Sequence, residues 1–174
     1  PRIAMQAITR AARYKFGIEV PRNVRHALLL DKQNNNHEWR DAIVKELKQI
    51  TEYETFRILD DDFILNKDYQ CIPYHIVFDV KFDLRRKARL VAGGNHTTPP
   101  KEDVYSGVVG MDSVRLGFII ATLFNLTVCA ADVGNAFLYG ITNEKVYIIA
   151  GDEFGPKIKG KRLLIIKSLY GLRT

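Results

Sequence analysis

Cysteine is scarce in this 174-residue chain: Cys71 and Cys129 are the only two. Two thiols are too few for a disulfide framework or for a cysteine-based zinc site. Secretion and structural zinc are therefore set aside, and an intracellular, reducing compartment is expected. No apolar run approaches the ~18 residues of a membrane span, so no membrane role is expected. The opening residues Pro1-Arg2-Ile3-Ala4-Met5 carry neither an initiator Met nor the apolar stretch of a signal peptide. They read as a piece of a longer chain. Internal repeats and low-complexity tracts are also missing. Asn34-Asn35-Asn36 is no more than a short polar loop. His26, His37, His75 and His96 form no i, i+4 metal pair. Asp60-Asp61-Asp62 lacks the Gly hinge and later Glu of a calcium loop, so a solvated turn is expected there.

What remains is an ordinary globular composition, 47% hydrophobic and 26% charged, with a net charge of +6. The charge is segregated. Between Lys81 and Arg89 lie five basic residues and one acid, Asp83. From Lys157 onward there are six bases and no acid, whereas residues 38–62 carry eight acids and four bases. Two basic stretches favour a polyanionic partner, although either is also compatible with a solvated face.

Ile3 to Phe16 suggests a basic helix ending at Gly17, and Asn23 is placed to cap a short helix through Leu30. Trp39, Ile43, Leu47 and Ile50 recur at spacings of four, four and three, predicting a helix over residues 37–53 with Trp39 as a core anchor. Phe56 to Leu59 reads as a short strand. Ile76, Phe78, Val80 and Phe82 alternate with His75, Val77, Asp79 and Lys81, the pattern of a half-buried strand. Ala88, Leu90 and Ala92 alternate in turn with Lys87, Arg89 and Val91, so the two strands predict a hairpin with a basic polar face. Gly93-Gly94 and Pro99-Pro100 bound a long loop. Asp112 or Ser113 is the expected cap of an apolar helix from Val114 to Phe124, stopping at Asn125. A buried strand from Leu126 to Val133, with Cys129 in its core, is expected next, then a compact turn over residues 135–139. Strands at 146–150 and 162–166 complete the order. Helices and antiparallel strands mix without a βαβ rhythm, so the fold class is α+β. Tyr69, Tyr74 and Tyr105, each near basic residues, are either base-stacking or ordinary packing residues.

The segment richest in chemistry is Ala130-Ala131-Asp132-Val133-Gly134-Asn135-Ala136-Phe137-Leu138-Tyr139-Gly140. A carboxylate ending an apolar strand is costly unless compensated, and a divalent cation compensates it. Gly134 and Ala136 leave backbone N–H groups open to an anion such as a triphosphate. Phe137 then adds a flat aromatic wall. The alternative is that Asp132 caps a strand and Phe137 is core.

This segment resembles the first catalytic motif of reverse transcriptases of copia-type LTR retrotransposons. Five further segments resemble that family in order. They are Trp39-Arg40-Asp41-Ala42 with Glu46-Leu47; Lys87-Ala88-Arg89-Leu90-Val91-Ala92; and Tyr105-Ser106-Gly107-Val108-Val109 with Ser113-Val114-Arg115. Glu144-Lys145-Val146-Tyr147-Ile148 and Ser168-Leu169-Tyr170-Gly171-Leu172 complete the set.

The resemblance implies a right-hand polymerase fold. Residues 1–19 would be an upstream linker or helix, about 20–109 mostly fingers, and about 110–174 the start of the palm. It implies that Asp132, with the Val133 backbone carbonyl, binds two catalytic Mg²⁺ ions (Mn²⁺ as a substitute). Asn135 and Ala136 would offer N–H groups to the dNTP triphosphate, and Phe137 would be the steric gate against a ribose 2′-OH. Lys87 and Arg89 would face phosphates, and Arg85, Arg86, Lys167 and Arg173 would contact nucleic acid. The implied partners are an RNA or DNA template-primer, dNTPs, and the rest of a polyprotein (palm, thumb and RNase H), in a cytoplasmic particle or the nucleus. Gly93-Gly94-Asn95 departs from the family's usual Lys-Gly-Phe. The Tyr-x-Asp-Asp motif is not among the 174 residues. An RNA-directed DNA polymerase is thus the expected parent, the piece itself being inactive. The alternative is a non-catalytic nucleic-acid-binding remnant of a degenerate element.

Overall fold

The computed structural model describes residues 12–97 and 107–173. It is a mixed helix-and-sheet molecule, as the α+β reading expects. In chain order, β1 (Arg13–Lys15) and β2 (Ile18–Val20) form a hairpin, followed by α1 (Val24–Gln33) and α2 (Glu38–Glu52). Next come β3 (Phe56–Ile58), β4 (Gln70–Cys71), and the hairpin strands β5 (Tyr74–Val80) and β6 (Arg86–Ala92). The helix α3 (Met111–Leu123) and strands β7 (Val146–Ile149) and β8 (Arg162–Ile165) follow. A four-stranded mixed sheet has the order β3-β8-β7-β4, with only β4 and β7 parallel.

The core lies where α2 packs on the β5–β6 hairpin. Trp39, Ile43, Leu47 and Ile50 are all buried, as their helical spacing requires, against Ile76, Phe78, Val80, Ala88 and Leu90. Trp39 meets Phe78 edge to face at 5.6 Å between centroids. Helix α1 begins at Asn23, whose Oδ1 accepts the His26 N–H at 2.8 Å. Helix α2 has no such cap of its own. Instead, buried Asp31 at the end of α1 accepts the N–H groups of Trp39 (3.1 Å) and Arg40 (2.9 Å). A carboxylate from one helix thus satisfies the free donors of the next.

The outer edge of β6 is capped in the same way. Glu46 of α2 accepts the Leu90 N–H at 3.0 Å, and the Tyr170 carbonyl accepts the Ala92 N–H at 2.7 Å. Gly171, at φ 90°, permits that close approach; a Cβ there would collide with the Ala92 carbonyl.

Four expectations are corrected. Arg13–Lys15 is a strand rather than the end of a basic helix, because Phe16 (φ 51°) and Gly17 (φ 77°) form a tight turn onto β2. The remainder of that proposed helix lies outside the described residues. Phe82 does not continue the buried face of β5: the strand ends at Val80 and the ring is 88% exposed. Helix α3 starts at Met111 after Gly110, so neither Asp112 nor Ser113 caps it. Residues 126–133 form no strand, and Cys129 is exposed rather than core. Among the described residues no strand pairs with that segment, and an apolar run without a ladder partner has no strand to be. Pro99, Pro100, Tyr105 and Ser106 lie outside the described residues.

Asp60-Asp61-Asp62 is a turn with exposed side chains, two of whose carbonyls accept the Arg162 guanidinium. Tyr74 is occupied by packing: its ring meets Phe154 and its hydroxyl donates to Glu153. Burial, with Glu153 alongside, pushes the Tyr74 hydroxyl pKa well above its ordinary value. No helix among the described residues is long and apolar enough to cross a membrane.

Candidate nucleotide and nucleic-acid interface

Strand register decides which hairpin side chains share a face. Asp79 opposes Lys87, and Val77 opposes Arg89, on the face that alternates with buried Phe78, Ala88 and Leu90. Lys87 is half-buried and Arg89 exposed. The Lys87 ammonium is depressed below its ordinary value, first by burial and then by Arg89 and Lys81. Beneath it, burial raises the Glu46 carboxyl, while the Leu90 N–H, Lys87 and Arg89 pull it back.

A cleft of about 190 Å³ opens between α2, the hairpin and the turn after residue 134. Its lining includes Lys45, Glu46, Gln49, Lys81, Arg85, Arg86, Lys87 and Asn135. The fold thus brings together two expected nucleotide-binding residues, Lys87 and Asn135, that are far apart in sequence. Asn135 sits in the left-handed region (φ 54°), opening a short 3₁₀ turn over Ala136–Tyr139. That turn uses some of the backbone groups singled out above. The Ala136 N–H donates to the Val133 carbonyl at 3.2 Å, and the Leu138 N–H to the Asn135 carbonyl at 2.8 Å. Tyr53 and Tyr139 meet through their hydroxyls at 3.4 Å, and with Asn135 alongside this hydrogen bonding lowers the Tyr53 pKa.

Phe137 and Arg89 meet on a third residue. The Phe137 ring lies nearly parallel to Tyr170 at 5.6 Å and 10°, and the Arg89 guanidinium stands 5.2 Å from the Tyr170 centroid. Tyr170 was legible only as part of a family-like segment. Its part in joining hairpin to turn required the fold. Lys45 and Gln49 had a weak signal, an i, i+4 pair off the apolar stripe of α2.

The other expected residues are placed less centrally. Asp132 is exposed and no group of three or more His, Cys, Asp or Glu residues suited to a metal occurs among the described residues. Arg86 pairs with Glu38 at 2.5 Å and stands 5.6 Å from the Trp39 ring centroid, while Arg85 is exposed beside Asp83. Lys167 donates to the Tyr53 carbonyl. Arg173 donates to the carbonyls of Gly94 (2.9 Å) and Asn95 (3.3 Å). Both tail cations therefore tie the tail to the body of the fold.

The sequence model of the reverse transcriptase (RNA-dependent DNA polymerase) family matches residues 53–174. The chain belongs to this family. It is also 30% identical, over 142 residues and 76% of its length, to the retrovirus-related Pol polyprotein from transposon TNT 1-94 of Nicotiana tabacum. It spans about 10% of the length of that relative. The copia-type reverse transcriptase resemblance seen in the motifs is thereby borne out. No solved structure shows significant similarity to the chain.

Proposed function

We propose that this reverse transcriptase segment forms the nucleotide-facing part of an RNA-directed DNA polymerase of right-hand architecture. In it, residues 20–109 serve as fingers and 110–174 begin the palm. The observation that carries this reading is the cleft that joins Lys87 of the hairpin to Asn135 of the following turn. In this reading Lys87 and Arg89 face the triphosphate of an incoming dNTP, and the Asn135–Ala136 backbone adjoins it. Phe137, braced on Tyr170, stands against the sugar. Template-primer runs along Arg85 and its neighbours, and other parts of a polyprotein complete the enzyme.

The metal site is a separate matter. Asp132 and the Val133 carbonyl supply one carboxylate and one backbone oxygen, and no group of three or more His, Cys, Asp or Glu residues suited to a metal occurs among the described residues. Mg²⁺ prefers octahedral oxygen coordination, with one or two carboxylates plus substrate phosphates. These residues alone do not fit a two-Mg²⁺ centre, and no chemical step is derived through one. A polypeptide of these 174 residues is accordingly inactive in primer extension. Extension with Mg²⁺ and dNTPs that disappears in Asp132→Asn refutes this.

The cleft is tested by calorimetric titration with a dNTP and with the matching rNTP. Lys87→Ala weakens dNTP binding about tenfold by removing a charge-assisted phosphate contact, and Phe137→Ala narrows the dNTP-over-rNTP preference. Unchanged affinities in both variants refute the assignment. A second reading, a non-catalytic nucleic-acid-binding remnant, is favoured by Asp132, which is exposed and is not among the residues lining the basic cleft. Salt-dependent oligonucleotide binding with no dNTP binding supports that reading.

A further inference from the structure

The turn that carries Asn135 and Phe137 is attached unevenly to the rest of the fold. At its exit, Leu138 is buried and the Gly140 carbonyl accepts the Ser168 N–H at 2.7 Å. A bridge between Ile141 and Lys167 continues that attachment. At its entry, among the described residues none of 127–135 donates a backbone hydrogen bond. Asn135 nevertheless holds a left-handed conformation, φ 54°, which Asn tolerates better than most residues. The turn's own bonds, Ala136 N–H to the Val133 carbonyl and Leu138 N–H to the Asn135 carbonyl, shape it without fastening that entry to the body of the fold.

Tyr53 supplies the fastening. Its hydroxyl lies 3.4 Å from the Tyr139 hydroxyl, with ring centroids 5.2 Å apart and planes at 83°. Asn135 is its second hydrogen-bonding neighbour. One side chain thus meets the residue before the 3₁₀ turn and the last residue within it. Tyr53 is itself well held. It closes α2, its N–H donating to the Gln49 carbonyl at 2.9 Å, and its carbonyl accepts the Lys167 ammonium. Its ring packs against the core. The hydroxyl pair adds little to stability, because Tyr139 is 62% exposed and water can replace either partner. What the pair fixes is geometry. Asn135 lines the nucleotide cleft and Tyr53 does not, so Tyr53 acts on the cleft through the turn.

We propose that Tyr53 is a positioning residue for nucleotide selection, holding Asn135 and Tyr139 so that the Phe137 ring between them stands in a fixed place against the sugar. The proposal rests on the reading of this cleft as a dNTP site, and it adds a residue that touches no nucleotide. Phe137 is then held in two ways. Tyr170, parallel to it at 5.6 Å, sets the plane of the ring, and Tyr53 sets the backbone that carries it. A wall rejects a 2′-hydroxyl only where it does not yield, so loosening the turn costs selectivity before it costs the fold.

The test is calorimetric titration of the 174-residue chain with dATP and with ATP, alongside urea unfolding followed through Trp39. Tyr53→Phe keeps the ring and removes the hydroxyl. It weakens dATP binding about fivefold and narrows the dATP-over-ATP preference, while the urea midpoint stays that of wild type. Tyr139→Phe, which leaves Asn135 to Tyr53, gives a smaller loss. In an Asn135→Ala background, Tyr53→Phe weakens dATP binding by less than about twofold more, because the two residues act as one unit. Wild-type affinity and preference in Tyr53→Phe, with dATP binding still weakened in Lys87→Ala, overturn the proposal and leave the dNTP reading intact. A loss of affinity matched by a lower urea midpoint overturns it as well, since the hydroxyl then serves the fold. Full additivity with Asn135→Ala has the same force. No dATP binding by the wild-type chain overturns the dNTP reading and the proposal together.

Discussion

Replacing Glu46 separates two effects that its position combines. Its carboxylate is buried in α2 and accepts the Leu90 N–H at 3.0 Å, and burial raises its pKa from the ordinary 4.5 despite Lys87 and Arg89 nearby. Glu46→Gln keeps an acceptor for Leu90 and removes the titration. Glu46→Leu removes both, leaving a buried donor unpaired at a cost of about 1–3 kcal/mol. For a chain of this size 2 kcal/mol corresponds to roughly 4–8 °C in Tm, and Gln is expected to exceed Leu by that margin at every pH.

The pH dependence follows from the raised pKa. Between 4.5 and the folded-state value the native protein holds a proton that the unfolded chain has lost, so wild-type stability falls as pH rises through that window. Glu46→Gln lacks this fall. It matches wild type in acid and is more stable above the window. The assay is urea unfolding followed through Trp39, the chain's single tryptophan, which is buried on the same helix. Equal stability of Gln and Leu variants refutes the edge-capping role, and an unchanged pH slope in Glu46→Gln refutes the burial argument.

Three further outcomes follow from local geometry. Asp31→Ala strands the Trp39 and Arg40 N–H groups at the start of α2 and costs about 2 kcal/mol in urea unfolding; Asp31→Asn, which keeps one acceptor, costs less. Gly171→Ala forces a Cβ into the Ala92 carbonyl at φ 90°. It lowers stability by about 2 kcal/mol or more and loosens the Phe137–Tyr170 stack, read as loss of near-ultraviolet circular dichroism. Asp79 is held below its ordinary carboxyl pKa of 3.8 chiefly by its hydrogen bond from Lys15. Its contribution to stability is therefore present above 3.8 and lost as pH falls through the lower folded-state value. Lys15→Ala returns the Asp79 pKa toward 3.8 in an NMR titration.

Legibility followed the range of the interaction that set each feature. The stripe of α2, the Asn23 cap and the alternation in β5 and β6 are short-range patterns, and each appears where its spacing puts it. Phe82 obeyed the same alternation and still lies outside, because Leu84 at φ 63° turns the chain before the ring reaches the core. Arg13–Lys15 looked helical because basic and small residues suit a helix, but the Phe16-Gly17 turn brought it back onto β2. At the candidate site, register alone set Lys87 and Arg89 on one face. The meeting of Lys87 with Asn135, and of Arg89 with Phe137 through Tyr170, depends on contacts between distant segments. Lys167 and Arg173 show the opposite failure, since a run of positive charge does not reveal which cations are spent on carbonyls of the same chain.

The two sides of the candidate site differ in how firmly they are built, and hydrogen exchange measures that difference. On the hairpin side, β5 and β6 exchange ladder bonds over seven paired positions, and the free edge is capped by Glu46 and Tyr170. On the other side, among the described residues none of 127–133 donates a backbone hydrogen bond, and Leu126, Val128 and Val133 are exposed. Helix α3 just before it leaves Leu116, Phe118 and Ile119 uncovered as well, with only Ala121 buried. Amides of β5 and β6 should therefore exchange only through global unfolding, whereas those of 127–133 should exchange at rates near the unstructured limit. A segment that must gain both ladder partners and apolar cover before its carboxylate is held in place has little to hold it alone. Protection of residues 127–133 equal to that of the hairpin refutes this asymmetry. It also removes the structural reason for expecting Asp132 to lack a fixed geometry in a polypeptide of these 174 residues.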